Sequence, residues 1–380
     1  MSERCWNSFR SRTALQPSRT VHRPNPTRSI RVLPELRATQ VEQSLLMSPA
    51  QTLYFRTNFD LDGTPIPKSF RKVSLPGAIA FLFRSRAEVL ELPEPLWVRF
   101  LPINAWLAVA WRISGFARLR NRRARTYAIE NNAPSIVIFG TRTPPRVIEM
   151  LGLFAIGLVF RGLYEKVAFG TPGAASAYSQ LPLSRGITST IIPALPAEDD
   201  GARKLIPRPA SVVFLGHLDN RKGVTALLAS WPEVEKAIPN ATLTIIGDGP
   251  LSQRVSDWAN DAAPSRRFAG KLPHLDAVRE VSLASVLVAP SRRQGRWREQ
   301  VGLPIVEGLA AGLTVVASDD TGLANWLATH GHHVINPPFG AALDEALIQA
   351  ITHPLARTAV LDSLPLLHGR LEADRWIHND

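Results

Sequence analysis

The stretch Glu299-Gln300-Val301-Gly302-Leu303-Pro304-Ile305-Val306-Glu307, preceded by Pro290-Ser291, decides how this chain is read. Pro304 suits the first turn of a helix, where its missing N–H costs nothing. The helix is expected to run through Glu307 to about Ala311, with Gly312 ending it. Glu299 then lies in the loop before the helix. The N–H groups near Gly302 and Leu303 point out of the helix start without intrahelical partners, which suits a phosphate. A carboxylate stands on either side of that point, eight positions apart, and each can accept hydrogen bonds from hydroxyls. Two glutamates alone decide little, because the helix dipole favours carboxylates at any helix start.

The upstream sequence adds weight. Ser211–Leu215 is an apolar, β-rich run that reads as a buried strand and ends at Gly216. His217, Leu218 and the sequence Asp219-Asn220-Arg221-Lys222-Gly223 follow, and Val224–Ser230 reads as helix. A second strand, Ala241–Ile246, ends in Gly247-Asp248-Gly249-Pro250. A third, Ser285–Ala289, ends in Pro290-Ser291, and a fourth, Leu313–Ala317, ends in Ser318-Asp319. Helical stretches between them give βαβ alternation, hence a parallel sheet with right-handed crossovers. Ligands collect at the carboxyl ends of such strands. The glycine turns, Lys222 and the Glu299 loop all fall at that edge. A structural turn explains each glycine alone but not the shared edge. Phosphate donors flanked by hydroxyl acceptors match the chemistry of a sugar nucleotide.

From about Ser211 to Pro337 the chain resembles the donor half of family 4 glycosyltransferases. The carriers are Gly216-His217-Leu218 with Lys222-Gly223, Gly247-Asp248-Gly249-Pro250, Phe268-Ala269-Gly270-Lys271-Leu272, Pro290-Ser291, and the pair Glu299 and Glu307, in family order and spacing. The resemblance implies an α/β chain of the GT-B fold, two Rossmann-like domains facing across a cleft. It implies a retaining glycosyltransferase that uses a nucleotide sugar as co-substrate, a hydroxyl acceptor, and no metal or other cofactor. It places Lys222 on the diphosphate and Glu299, the catalytic candidate, on sugar hydroxyls near the reacting carbon. Glu307 falls on the ribose, the amides of Gly302 and Leu303 on phosphate or sugar oxygens, and the Lys271-Leu272 loop beside the base. Gly216, His217 and Gly249 complete the donor-binding set. Preorganised cations and N–H groups would stabilise the departing diphosphate, which agrees with the electrostatics of bond breaking.

The chain departs from the family pattern at His217, where the family has arginine. A neutral imidazole does not supply a fixed charge. Arg221 is close enough in sequence to compensate, or is a solvated surface residue. Val301 replaces a frequent aromatic. Arg292–Arg298 is unusually basic, either a reach toward phosphates or an acidic acceptor, or a flexible charged loop.

At 380 residues the chain has room for two ordinary domains. The expected division is a basic disordered tail at 1–28, an acceptor-side domain at 29–193, a proline-rich linker at 194–210, a nucleotide-sugar domain at 211–352 and a helical tail at 353–380. In the first half, strands are expected at Ile30–Leu33, Thr52–Arg56, Glu88–Leu92, Ser135–Phe139 and Lys166–Phe169. Helices are expected at Ala78–Phe83, Trp97–Asn131 (either continuous or broken near Pro102 or Gly115) and Pro145–Leu163. The resemblance covers this half only in outline, and the usual glycine-rich opening loop is not recognisable. Strand ends nominate Asn58, Glu91, Glu94, Thr141 and Thr171 for the opposite wall. Glu91 and Glu94 read as two carboxylates able to orient an acceptor hydroxyl, or as ordinary exposed glutamates. Asp60-Leu61-Asp62 imitates a metal-binding pair, but the following Gly63 and Pro65 favour a turn.

The chain has one cysteine, Cys5, so internal disulfides are excluded, and its nine histidines are scattered without zinc-ligand spacing. The net charge of +12 raises the question of nucleic acid, yet no basic recognition helix or aromatic-basic module is visible, so no nucleic-acid partner is expected. Arg118, Arg120, Arg122, Arg123 and Arg125 follow the apolar stretch Trp106–Phe116. The run Leu151–Phe160 is also apolar, but shorter than the roughly 20 residues of a spanning helix. Both stretches read as buried helices, with a peripheral contact at an anionic membrane as the second reading. No signal-peptide core precedes them, and the expected location is cytoplasmic, with or without contact at the inner membrane face. A non-catalytic relative that binds nucleotide or scaffolds a membrane complex is the alternative to an enzyme.

Overall fold

The computed structural model describes residues 28–58, 61, 65–119, 122–198, 201–262 and 264–379, with 38 and 39 described by backbone alone. The tail at 1–27, Asp60, Asp62 and Arg120 lie outside the described residues.

Two parallel sheets organise the chain. The first has strands β1 (Ser29–Leu36), β2 (Gln51–Thr57), β3 (Phe70–Lys72), β4 (Val89–Glu91), β5 (Ala124–Ala128), β6 (Tyr164–Phe169) and β7 (Thr188–Ile191), in the spatial order β3-β2-β1-β4-β5-β6-β7. The second has β8 (Ser211–Leu215), β9 (Thr242–Ile246), β10 (Arg266–Gly270), β11 (Val286–Ala289), β12 (Thr314–Ser318) and β13 (His333–Ile335), in the order β10-β9-β8-β11-β12-β13. Each order reverses once, between β1 and β4 and between β8 and β11, and a doubly wound sheet opens a binding crevice at that reversal. In β8 the register pairs Val212 with Val286 and Val213 with Leu287. These side chains are buried on both faces, as parallel strands covered by helices require.

In the first half, the structure agrees with the expected strands at 30–33, 52–56, 88–92 and 166–169, within a few residues. It corrects two expectations. Pro134–Phe139 is a short helix with Pro134 in its first turn, not a strand. The helical stretch expected from Trp97 to Asn131, unbroken or broken near Pro102 or Gly115, is helix only over Leu101–Phe116, and Ala124–Ala128 is the interior strand β5. The strand Ala-Arg-Thr-Tyr-Ala lacks an apolar run, and its charged residue is satisfied from afar. Arg125 donates to Glu165 at 2.8 Å and to the Ile377 carbonyl at 2.6 Å.

The last helix, Gly369–His378, packs against β5 and β6 of the first sheet. Arg31, buried, donates to Glu91 at 2.9 Å and to Asp374 at 2.6 Å, and Arg370 also pairs with Glu91. The two ends of the chain are therefore joined by a buried ionic network. Among the described residues, no helix is long and apolar enough to cross a membrane.

Candidate active site

The helix at the deciding stretch spans Leu303–Ala310, with Pro304 in its first turn and Gly302 as its N-cap. Gly302 has φ +86°, and a Cβ there would sit 3.0 Å from Ile305. The left-handed turn aims the start of the helix at the crevice, and a side chain would strain it. Four polar groups meet at this point. Lys222 and Glu299 form an ion pair, both side chains largely shielded from solvent. The Ser291 hydroxyl donates to the same Glu299 carboxylate at 3.3 Å. Lys222, Ser291, Glu299 and Gly302 line one small hollow at the ends of β8 and β11.

The Lys222 backbone is held in a short 3₁₀ turn, where its N–H donates to Asp219 at 3.0 Å. Trp297 lies beneath two cations, 4.6 Å from the Arg221 guanidinium and 5.1 Å from the Lys222 ammonium. Arg221 also donates to Asp219 at 2.6 Å, so its charge is engaged there rather than standing in for the missing arginine at His217. The basic segment 292–298 is tied down rather than loose. Its Arg292 N–H donates to the Arg221 carbonyl, the Arg293 N–H to Asp320, and Arg298 to the Asp320 carbonyl.

The remaining donor-side candidates form two further groups. His217 is exposed beyond Gly216, whose N–H continues the sheet to the Ile246 carbonyl at 3.0 Å. The positive fields of Lys271 and His217 reach Asp248, whose carboxyl is held below its ordinary range chiefly by hydrogen bonds from Ser252 and the Gly249 amide. That amide donates to Asp248 at 2.8 Å and Ser252 at 2.9 Å, so Gly249 serves as a turn rather than a free donor. Leu272 is half-buried beside the exposed Lys271. Glu307 stands apart on the second turn of its helix. Burial raises its carboxyl above the ordinary range, opposed by the nearby His274. Its Oε2 is buried without a hydrogen-bond partner among the described residues, so it lacks the donors that a buried carboxylate needs.

The opposite wall differs from expectation. Glu91 is internal, held by Arg31 and Arg370. Burial raises its pKa, but the fields of Arg370 and Arg31 outweigh that and bring it down to about 2. With Asp374 and His378 it forms a group of potential ligands within 4.8 Å, but the two arginines already neutralise it. Glu94 is also buried, and burial pushes it up to about 7. It accepts from the N–H groups of Ile129 and Glu130 at 3.1 Å each and from the Tyr178 hydroxyl at 3.2 Å. Asn58 donates its N–H to the Leu36 carbonyl at 2.9 Å, and Thr141 is exposed in the loop before helix Arg146–Leu163. Neither Glu91 nor Glu94 is therefore an exposed glutamate.

Thr171 has a different task. It caps helix Pro172–Ser179 and donates to Asn131 Oδ1 at 2.5 Å. Asn131 in turn donates from its backbone to Gln300 Oε1 at 2.7 Å and from Nδ2 to the Gln300 carbonyl at 2.9 Å. Gln300 Nε2 donates to Glu130 at 2.8 Å, and the Gly322 N–H donates to the Gln300 carbonyl at 3.1 Å. A Cβ on Gly322 would lie 2.0 Å from that carbonyl and 2.6 Å from Asn131 Nδ2. The neighbour of Glu299 is thus clasped by the loop after β5. The sequence reading missed Asn131, Glu130 and Gln300 because it placed 130–131 at the end of a helix. The paired asparagines Asn131-Asn132 were the available signal, since asparagine favours turns.

Residues 209–355 match the glycosyl transferases group 1 family. A GDP-mannose-dependent monoacylated phosphatidylinositol monomannoside mannosyltransferase of Corynebacterium glutamicum is 27% identical over 173 residues, which is 44% of this chain and 45% of that enzyme. A GDP-mannose-dependent phosphatidylinositol monomannoside mannosyltransferase of Mycobacterium tuberculosis is 33% identical over 258 residues, 66% of this chain and 64% of its own length. The chain therefore spans less than half of the first relative and just under two thirds of the second. In three dimensions the chain is similar to Anabaena HepE, solved in complex with UDP, with a TM-score of 0.61, 13% identity, and coverage of 92% of this chain and 95% of that one.

Proposed function

We propose that this chain, whose residues 209–355 belong to the group 1 glycosyl transferases and whose two sheets form the GT-B fold, moves a sugar from a nucleotide donor to a hydroxyl acceptor. The observation that carries the reading is the Lys222–Glu299 pair set against the Gly302 helix start. A diphosphate seated on the Leu303 end of the helix displaces Glu299 from Lys222 and takes the ammonium itself. The freed carboxylate then accepts hydrogen bonds from sugar hydroxyls near the reacting carbon. As the bond from that carbon to the diphosphate oxygen breaks, Lys222 and the helix amides hold the growing negative charge. The acceptor oxygen forms the new bond on the face the diphosphate leaves, and its proton passes to the departing diphosphate oxygen. The unpartnered Glu307 carboxylate suits the hydroxyl pair of a ribose. The bases of the donors are left open; the HepE complex and the GDP-mannose relatives point to UDP and GDP as first choices. In this reading Lys222 and the helix amides take up the diphosphate's developing charge, and transfer is expected to proceed without a metal.

The acceptor belongs to the same proposal. The two mannosyltransferase relatives act on phosphatidylinositol mannosides by their names, and an acceptor of that class would bring this chain to a membrane surface. His217 and the unrecognisable opening loop are what the non-catalytic alternative rests on; the intact charged pair and helix start favour the enzyme.

Titration calorimetry with UDP-, GDP- and ADP-sugars tests the reading. At least one is expected to bind the parent chain, and Lys222→Ala should weaken that binding by about 1.5–3 kcal/mol, the scale of a charge-assisted hydrogen bond. Unchanged affinity in a folded variant removes Lys222 from the diphosphate.

A further inference from the structure

Helix Arg146–Leu163 is apolar on both sides, but only one side is covered. Ile156, Gly157 and Phe160 are buried. Val147, Met150 and Leu151 on the outer side are each about 60% exposed, and Phe154 and Leu158 about half exposed. A helix on the surface of a water-soluble domain carries charge on its outer face, whereas this one interrupts its outer face only near its ends. The adjacent helix Leu101–Phe116 continues the same surface with Trp106, Ile113 and Phe116, each at least half exposed. Contiguous apolar surface of this kind marks an interaction site.

The charge around it identifies the partner. From Trp97 to Leu163 the sequence holds ten arginines and two glutamates; Arg122 and Arg125 are engaged inside the domain, and Glu130 is turned to the cleft clasp. Arg146 opens the helix. At its far end Arg161 and Arg185 line a hollow of about 510 Å³ beside the exposed Leu183. None of these three arginines pairs with a carboxylate among the described residues. A protein partner with an apolar face would need matching acids, whereas an anionic bilayer offers acyl chains and phosphates in one surface.

We propose that the outer face of helix Arg146–Leu163, together with Trp106, Ile113 and Phe116, docks on an anionic lipid bilayer, with Arg146, Arg161 and Arg185 at the phosphates. The helices lie in the plane of the headgroups and do not span. This moves the contact away from the sequence cluster at 118–125. Arg122 there is buried, stacked 4.1 Å over Trp111 and donating to the Ala87 carbonyl at 2.6 Å. The docking surface is independent of the donor site, so it stands or falls without the reading of Lys222 and Glu299.

The experiment is sedimentation of the full chain with phosphatidylcholine vesicles, with and without phosphatidylglycerol, at low and high salt. The parent is expected to bind the anionic vesicles and to release as salt rises. The variant M150Q/L151Q/F154Q should bind about tenfold less or weaker, and R146Q/R161Q/R185Q should lose its preference for anionic over neutral vesicles. Each variant should keep the parental unfolding temperature, because the replaced side chains are on the surface. A parent chain that ignores anionic vesicles at low salt overturns the proposal. So does a triple glutamine variant at 150, 151 and 154 that binds like the parent. Light scattering that shows a parental dimer broken by the same variant assigns the face to a second copy of this chain and overturns it as well.

Discussion

The two walls of the cleft put carboxylates at equivalent strand ends and use them in opposite ways. On the second sheet, Glu299 meets Lys222 in a shielded but reachable pair beside a helix start. On the first, Glu91 and Glu94 leave β4 only to be taken inside, one by arginines and one by backbone amides. Strand-end position is thus a licence for function, not a guarantee of it. What separates the walls is the partner supply. A buried carboxylate held by fixed internal groups is structural, and one held by a displaceable ammonium and a serine hydroxyl beside a helix start is available to a ligand.

The largest test of this contrast is Glu91→Ala. Removing it leaves Arg370 without its carboxylate and Arg31 with Asp374 alone, and breaking a buried ion pair from one side costs about 3–5 kcal/mol. Thermal unfolding should register that loss, and a loss below about 1 kcal/mol would place Glu91 back on the surface. Next comes Glu299→Gln. It should leave stability within about 1 kcal/mol of the parent and lower transfer roughly a hundredfold, the scale of losing one preorganised charge-stabilising group. Equal turnover in variant and parent would separate Glu299 from the reaction.

A smaller effect is expected at the clasp that joins the walls. Asn131→Ala removes hydrogen bonds to Gln300 and leaves Thr171 without its acceptor, at about 1–3 kcal/mol. A double-mutant cycle with Gln300→Ala should return a coupling of at least about 0.5 kcal/mol, and simple additivity would mean that the two walls are not joined through these residues.

The smallest effect distinguishes by pH the two glutamates at the end of β4, Glu91 in the strand and Glu94 just beyond it. Glu91 is lowered to about 2 against the ordinary 4.5, so its ionised form favours the native chain. That stability is present above pH 4.5 and is lost as pH falls toward 2. Glu94 is raised to about 7, so the native chain holds a proton that the unfolded chain has released. Its contribution is complete below pH 4.5 and declines as pH rises through 7. Glu94→Gln keeps the shape and should flatten the stability profile between those values while costing about 1 kcal/mol or less at pH 5. A profile unchanged by the substitution assigns the slope to other groups.

The legibility of the chain divides along the same line as its walls. The second domain was readable because its strands are short apolar runs punctuated by glycine, and each strand end carries its chemistry locally. The helix at Leu303–Ala310 follows from Pro304 and Gly312 alone. The first domain was readable where apolar runs were dense, as in β1 and β2, and failed at β5 and at Pro134–Phe139. Ile-Val-Ile-Phe is β-rich by composition, but the proline ahead of it and the packing against helix Arg146–Leu163 make it helical.

By itself the sequence determined the parallel βαβ second domain and the helix start at Gly302 and Leu303, because those depend on local periodicity, proline and glycine. Lys222 and Glu299 are nominated separately, by their place at strand ends and by the family resemblance, and their pairing emerges only in the fold. Only the tertiary structure decided that Glu91 and Glu94 are internal, that Arg122 is packed on Trp111, that Asn131 clasps Gln300, and that one face of an apolar helix stays uncovered. Those outcomes turn on which distant groups reach a side chain first. A residue's own neighbours in sequence do not carry that information, since desolvation and charge pairing are set by partners up to 343 positions away, as between Arg31 and Asp374.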